Sequence, residues 1–119
     1  MKKPISPAVH GIIDYAFAAL LMAGPTLFKL KGLARKFAYG LGSNVAAYSA
    51  TTDYPTALQR KIPLSIHKKN DERNLAALLF VPMVTGMMKK RRAKYFFLGL
   101  LAAGVTTVLL TDWKKEEIV

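Results

Sequence analysis

Only two histidines occur in the 119-residue chain, and each is followed four residues later by an aspartate: His10 by Asp14, and His67 by Asp71. In an α-helix, residues four apart lie on one face, one turn above the other, so each imidazole can meet its own carboxylate. Imidazole nitrogen and carboxylate oxygen are ligands suited to zinc, iron or manganese. The same groups can relay protons, or simply clamp helices together through hydrogen bonds. With no cysteine in the chain, thiolate ligation, disulfides and thiol redox chemistry are excluded.

The elements that must position these pairs are written twice. A shift of 57 residues superposes the two pairs and also aligns Ile5 with Ile62, Leu21 with Leu78, Pro25 with Pro82, Arg35 with Arg92, and Leu41-Gly42 with Leu98-Gly99. Both halves close alike, on Thr52-Asp53-Tyr54 and on Thr111-Asp112-Trp113. The repeating unit is therefore a helix opening with His-x-x-x-Asp, a basic turn, and a second helix ending in Thr-Asp-aromatic. Repeat 1 covers about residues 5–54 and repeat 2 about 62–113, joined by a linker containing Pro55 and Pro63. A returning second helix ends at the face where the first began, which adds Asp53 and Asp112. The candidate ligand set for a divalent metal is thus His10, Asp14, Asp53, His67, Asp71 and Asp112.

Composition decides where such a unit belongs. Hydrophobic residues form 52% of the chain, yet the net charge is +11. The charges are segregated: residues 11–28 carry only Asp14, and residues 37–52, 74–88 and 95–111 carry none. Four apolar runs between basic turns predict an all-α, four-transmembrane-helix bundle built from two tandem two-helix repeats, a single membrane domain over 1–119. Asp14 lies inside an apolar run, where a charge costs about 2.5–3.5 kcal/mol, so it must be paired or functional. Met1-Lys2-Lys3 followed by an apolar run resembles a cleaved signal, but Asp14 and the internal recurrence of the segment predict that it is retained.

Small residues recur four apart in both second helices, as Gly42, Ala46 and Ala50 and as Gly99, Ala103 and Thr107. In lipid such rows allow close approach, which predicts that the two second helices form the interior pair. Asn44, Tyr48 and Ser49 supply polar groups there, either to line a small pocket or, the commoner use, for interhelical hydrogen bonds. Gly-Ile-Ile separates His10 from Asp14 but Lys-Lys-Asn separates His67 from Asp71, which predicts a wetter second pair.

The basic turns at 29–36 and 89–94 lack the interleaved aromatics of a nucleic-acid surface, which argues against a nucleic-acid partner. They suit the lipid bilayer, with anionic headgroups as partners. Their charge density predicts a multi-pass inner-membrane protein with the turns in the cytoplasm and both termini on the other side. No nucleophile elbow, phosphate loop or dinucleotide fingerprint assigns an enzymatic activity. The pattern resembles the SPW-repeat family of small prokaryotic membrane proteins, whose unit is a transmembrane helix pair with Ser-Pro-Trp late in its first helix. Here Gly24-Pro25-Thr26 and Val81-Pro82-Met83 keep only the proline. The resemblance implies a bacterial four-helix membrane protein and supplies no site residues. The expected function is that of a structural or accessory subunit, self-associating or held in a larger membrane complex. The alternative is a metal-dependent membrane enzyme or a proton or ion carrier that uses the His/Asp set.

Overall fold

A computed structural model describes residues 3–52 and 57–113. It is all-helical: α1 spans Pro7–Leu27, α2 Gly32–Thr51, α3 Leu64–Thr85 and α4 Arg91–Leu110, with a 3-10 turn at Met87–Lys89. Among the described residues there is no strand, only two isolated parallel bridges, Ile5 with Thr111 and Thr52 with Ile62.

Local chemistry sets the helix ends. Ser6 caps α1 by accepting a hydrogen bond from the Val9 amide at 3.2 Å, and Pro7 follows where its missing N–H costs nothing. Gly86 ends α3 in the left-handed conformation, with φ at 80°, as a residue without Cβ does at no steric cost. Pro25 and Pro82 sit inside α1 and α3, both buried, and neither ends its helix. The helices α2 and α4 begin earlier than the apolar runs predict, because Arg35, Lys36, Arg92 and Lys94 occupy their opening turns. Lys and Arg are good helix formers, so the basic stretches join the helices instead of remaining loops.

The principal packing is hairpin by hairpin, α1 on α2 and α3 on α4, with lighter contacts of α1 with α4 and α2 with α3. The core between them is apolar, centred on Leu21, Ala38, Leu41, Val45, Leu78, Phe97 and Leu100. The expectation that α2 and α4 form the interior pair is corrected here. Gly42 does face a neighbour: a Cβ there would stand 2.9 Å from the Leu21 Cβ of α1. Its counterpart Gly99 faces open space, and Ala103 is exposed. Close approach in α4 is made instead at Gly104, against Leu75 and Phe17. A repeated small residue is only a licence for contact; which helix takes it up depends on how the two hairpins are set against each other.

Two helices, α1 and α4, are long and apolar enough to cross a membrane. The helices α2 and α3 fall short of that measure, α2 because Arg35 and Lys36 together with its glycines and its Ser, Asn and Tyr residues lower its mean hydropathy, and α3 because Lys68, Lys69, Asp71, Glu72 and Arg73 fill its first half. Large apolar side chains are nonetheless exposed on every helix, among them Ile12, Leu20, Leu33, Phe80, Val84, Tyr95 and Leu109.

Candidate metal centre

The first turns of α1 and α3 and the last turns of α2 and α4 meet at one end of the molecule. His10 and Asp14 enter from α1, and His67 and Asp71 from α3, one helical turn apart in each case. All four are buried: His10 is 1% exposed, His67 0%, and each aspartate 7%. The expectation of a wetter second pair is therefore corrected. Lys68 and Lys69 lie between His67 and Asp71, but the helical period turns them away while it brings residues 67 and 71 inward.

The pairs do not close only on themselves. His10 Nε2 lies 3.1 Å from Asp14 Oδ2 and 2.9 Å from Asp71 Oδ2. His67 Nε2 lies 2.7 Å from Asp14 Oδ2 and 3.2 Å from Asp71 Oδ2. Two nitrogens and two oxygens thus alternate around a ring whose edges average about 3.0 Å. Zinc holds such ligands tetrahedrally at about 2.0–2.2 Å, which corresponds to edges of about 3.4 Å, so the four atoms would open by a few tenths of an ångström to take one ion. Ligand atoms of these four residues all lie within 4.8 Å of one another.

Both imidazoles are held from behind by a threonine. His10 Nδ1 is 2.7 Å from Thr111 Oγ1, and His67 Nδ1 is 2.6 Å from Thr52 Oγ1. Each hydroxyl also lies against a helix carbonyl, Thr111 on Thr107 at 2.5 Å and Thr52 on Tyr48 at 2.6 Å. A carbonyl can only accept, so the single hydroxyl proton points to it, and the hydroxyl lone pair faces the imidazole. Each histidine therefore donates its Nδ1–H to threonine, and each Nε2 is aimed at carboxylates. A bare Nε2 lone pair facing a carboxylate oxygen would be repulsive, so each Nε2 must hold a proton or share a cation with the carboxylates. Anchoring one ring nitrogen as a donor so that the other can ligate is how metal-binding histidines are commonly oriented.

A further layer supports the ring. Tyr48 donates to Asp71 Oδ1 at 2.6 Å, Asn74 Nδ2 donates to the Tyr48 hydroxyl oxygen at 2.7 Å, and Asn44 donates to Asn74 Oδ1 at 3.2 Å. Ser49 makes a longer contact with Asp14, at 3.5 Å. The polar residues of α2 thus serve interhelical hydrogen bonding. Trp113 covers the ring, its centroid 4.7 Å from that of His10 and 6.1 Å from that of His67, and its indole N–H bonds the Val108 carbonyl. Beneath the ring lies a cavity of about 30 Å³, bounded by His10, Asp14, Tyr48 and Asp71 on its polar side and by Phe17 and Leu75 on its apolar side. That volume suits a water molecule or an ion, whereas organic ligands occupy roughly 300–1,000 Å³.

Of the six residues expected as ligands, four converge. Asp53 lies outside the described residues. Asp112 is half-buried and gives its backbone N–H to the Ile5 carbonyl at 2.8 Å, but it is not in the four-residue ring. Its neighbour Thr111 takes the inward place, since extended backbone alternates its side chains. The roles of Thr52, Thr111 and Asn74 escaped the sequence analysis, although the repeated Thr-Asp-aromatic ending was the signal for the first two. The chain matches no protein-family model, no curated protein and no solved structure.

Proposed function

We propose that the chain is a small integral membrane protein of four helices, built from two tandem two-helix repeats, and that its His10/Asp14/His67/Asp71 ring binds one divalent transition-metal ion. The observation that carries the metal reading is the pair of Nδ1–H donors to Thr52 and Thr111, which aims both Nε2 atoms at both carboxylates. Two imidazolium and two carboxylate groups sum to zero charge, as do two neutral imidazoles, two carboxylates and a divalent ion. One ion therefore replaces two protons without leaving net charge in a buried site, where unpaired charge is costly. The small cavity favours ion or proton handling over the transformation of an organic substrate.

The membrane reading is supported by polarity arranged inside out, with the charged ring buried and Ile12, Phe80, Val84 and Leu109 exposed. The exposed Thr106 hydroxyl is satisfied by the Ala102 carbonyl of its own helix at 2.8 Å, as a hydroxyl facing lipid requires. The helices α1 and α4 would be the full spans; α2 and α3 would complete the bundle with their cations reaching to the interface. Resemblance to the SPW-repeat proteins remains part of this proposal, supported by Pro25 and Pro82 at matching places in α1 and α3. So do an inner-membrane location with the basic turns in the cytoplasm, and lipid or further protein copies against the apolar faces.

A second reading is that of a structural or accessory protein in which the ring only clamps α1 to α3. The hydrogen-bond lengths of its edges, 2.7–3.2 Å, favour it. Elemental mass spectrometry on detergent-purified protein without a histidine tag separates the two. Near-stoichiometric metal in the wild type, lost in a still-helical His10→Ala/His67→Ala variant, supports the metal site. Metal-free wild type after growth and refolding in zinc, with a lower melting temperature in the variant, leaves the clamp.

A further inference from the structure

At the end of the bundle opposite the ring, a cleft of about 560 Å³ opens between the two basic turns. Lys29, Lys31, Lys90, Arg91 and Arg92 line it. The acidic residues of the chain stand at positions 14, 53, 71, 72, 112, 116 and 117, so none occurs in either turn or in the helices that leave them. No acidic residue lines the cleft. The helices α2 and α4 both begin at its rim, at Gly32 and Arg91, with neither a capping side chain nor an acidic residue in the first turn. The C-termini of α1 and α3, at Leu27 and Thr85, lie at the same end and offset the two positive helix ends, so the five cations together with the free opening amide groups of α2 and α4 give the cleft its positive character.

The geometry points to a binding site in this cleft for the phosphate headgroup of an anionic phospholipid. Helices of 20–22 residues are about 30 Å long, the thickness of a bilayer's hydrocarbon core, so if the bundle spans a membrane its turns lie at headgroup depth. The cleft also has apolar walls, from Leu30, Leu33 and Met87, against which the first carbons of a lipid can lie. Basic pockets between transmembrane helices are recognised sites for anionic headgroups. The assignment rests on the membrane reading proposed above but not on the metal.

The test is native mass spectrometry after reconstitution in equimolar phosphatidylglycerol and phosphatidylcholine. The wild type is compared with Lys31→Gln/Arg91→Gln/Arg92→Gln and with Arg60→Gln/Lys61→Gln/Arg73→Gln, which removes three exposed charges outside the cleft. We expect the wild type and the second variant to retain one phosphatidylglycerol per chain with at least tenfold preference, and the cleft variant to lose that preference. Each surface cation contributes about fivefold. If the cleft variant fails to fold by circular dichroism, Lys31→Gln and Arg91→Gln singly should each show a partial loss. Equal losses in the cleft and distal variants, or no anionic preference in the wild type, would overturn the site. Displacement of the lipid by millimolar inorganic phosphate alone would reassign the cleft to free anions and overturn the lipid assignment. Recovery of the protein from the aqueous fraction without detergent would instead show that the membrane reading had failed.

Discussion

Replacing Thr111 by valine tests the orientation of the ring with little change of shape. Thr111 is fully buried, and its hydroxyl oxygen is the partner of His10 Nδ1 at 2.7 Å. Valine is nearly isosteric, so no cavity opens; what is lost is the acceptor for a buried N–H. An orphaned buried donor costs about 1–3 kcal/mol, which should lower the melting temperature by several degrees. The imidazole is then free to turn or to change tautomer, and loss of such an outer partner typically weakens metal affinity about 10–100-fold. The assay is a zinc titration in detergent against a competing chelator, read by the fluorescence of Trp113, the only tryptophan, which stands against His10. Thr111→Ser keeps the hydroxyl and should recover most of the affinity. A valine variant that binds zinc and melts as the wild type does would refute the assignment of Nδ1–H as donor to threonine, and with it the argument that both Nε2 atoms face the centre.

Three further outcomes are expected. Zinc binding should release close to two protons per ion near pH 7, measured by calorimetry in buffers of differing ionisation heat; release near zero would mean that the ring does not hold protons at the Nε2 positions. Tyr48→Phe removes the 2.6 Å bond to Asp71 and the acceptor of Asn74. It should cost about 1–3 kcal/mol in stability while leaving the metal stoichiometry at one, and loss of stoichiometric metal in a folded variant would make Tyr48 part of the centre. A Cβ on Gly24 would run into the ring of Phe96, whereas one on Gly99 meets nothing. Gly24→Ala should therefore destabilise by about 1–3 kcal/mol through overpacking, while Gly99→Ala should be neutral or stabilising by up to about 1 kcal/mol. Equal melting temperatures for these two glycine variants would contradict the packing of α1 against α4.

The pairs His10–Asp14 and His67–Asp71 and their helical register are local facts. A spacing of four places two side chains on one face whatever the fold, so the four central residues could be named from the sequence. The four helices were legible for the same reason, since apolar runs set between basic turns leave little choice of local structure, whereas the end of α3 at Gly86 came from the structure. What spacing cannot say is which carboxylate each imidazole meets. The crossing of His10 to Asp71 and of His67 to Asp14 exists only because α1 and α3 come side by side at one end of the bundle. Nor could sequence choose between Thr111 and Asp112, where charge drew attention to the aspartate; the extended turn after α4 and its bridge to Ile5 put the hydroxyl against the histidine instead. Burial of His67 and Asp71 within a lysine-rich stretch was likewise decided in three dimensions, since the lysines between them need only a third of the helix surface to reach water. Sequence determined the parts and their faces, because those depend on a few neighbouring residues; tertiary structure determined the partners, because partners are set by how helices distant in sequence lie against each other.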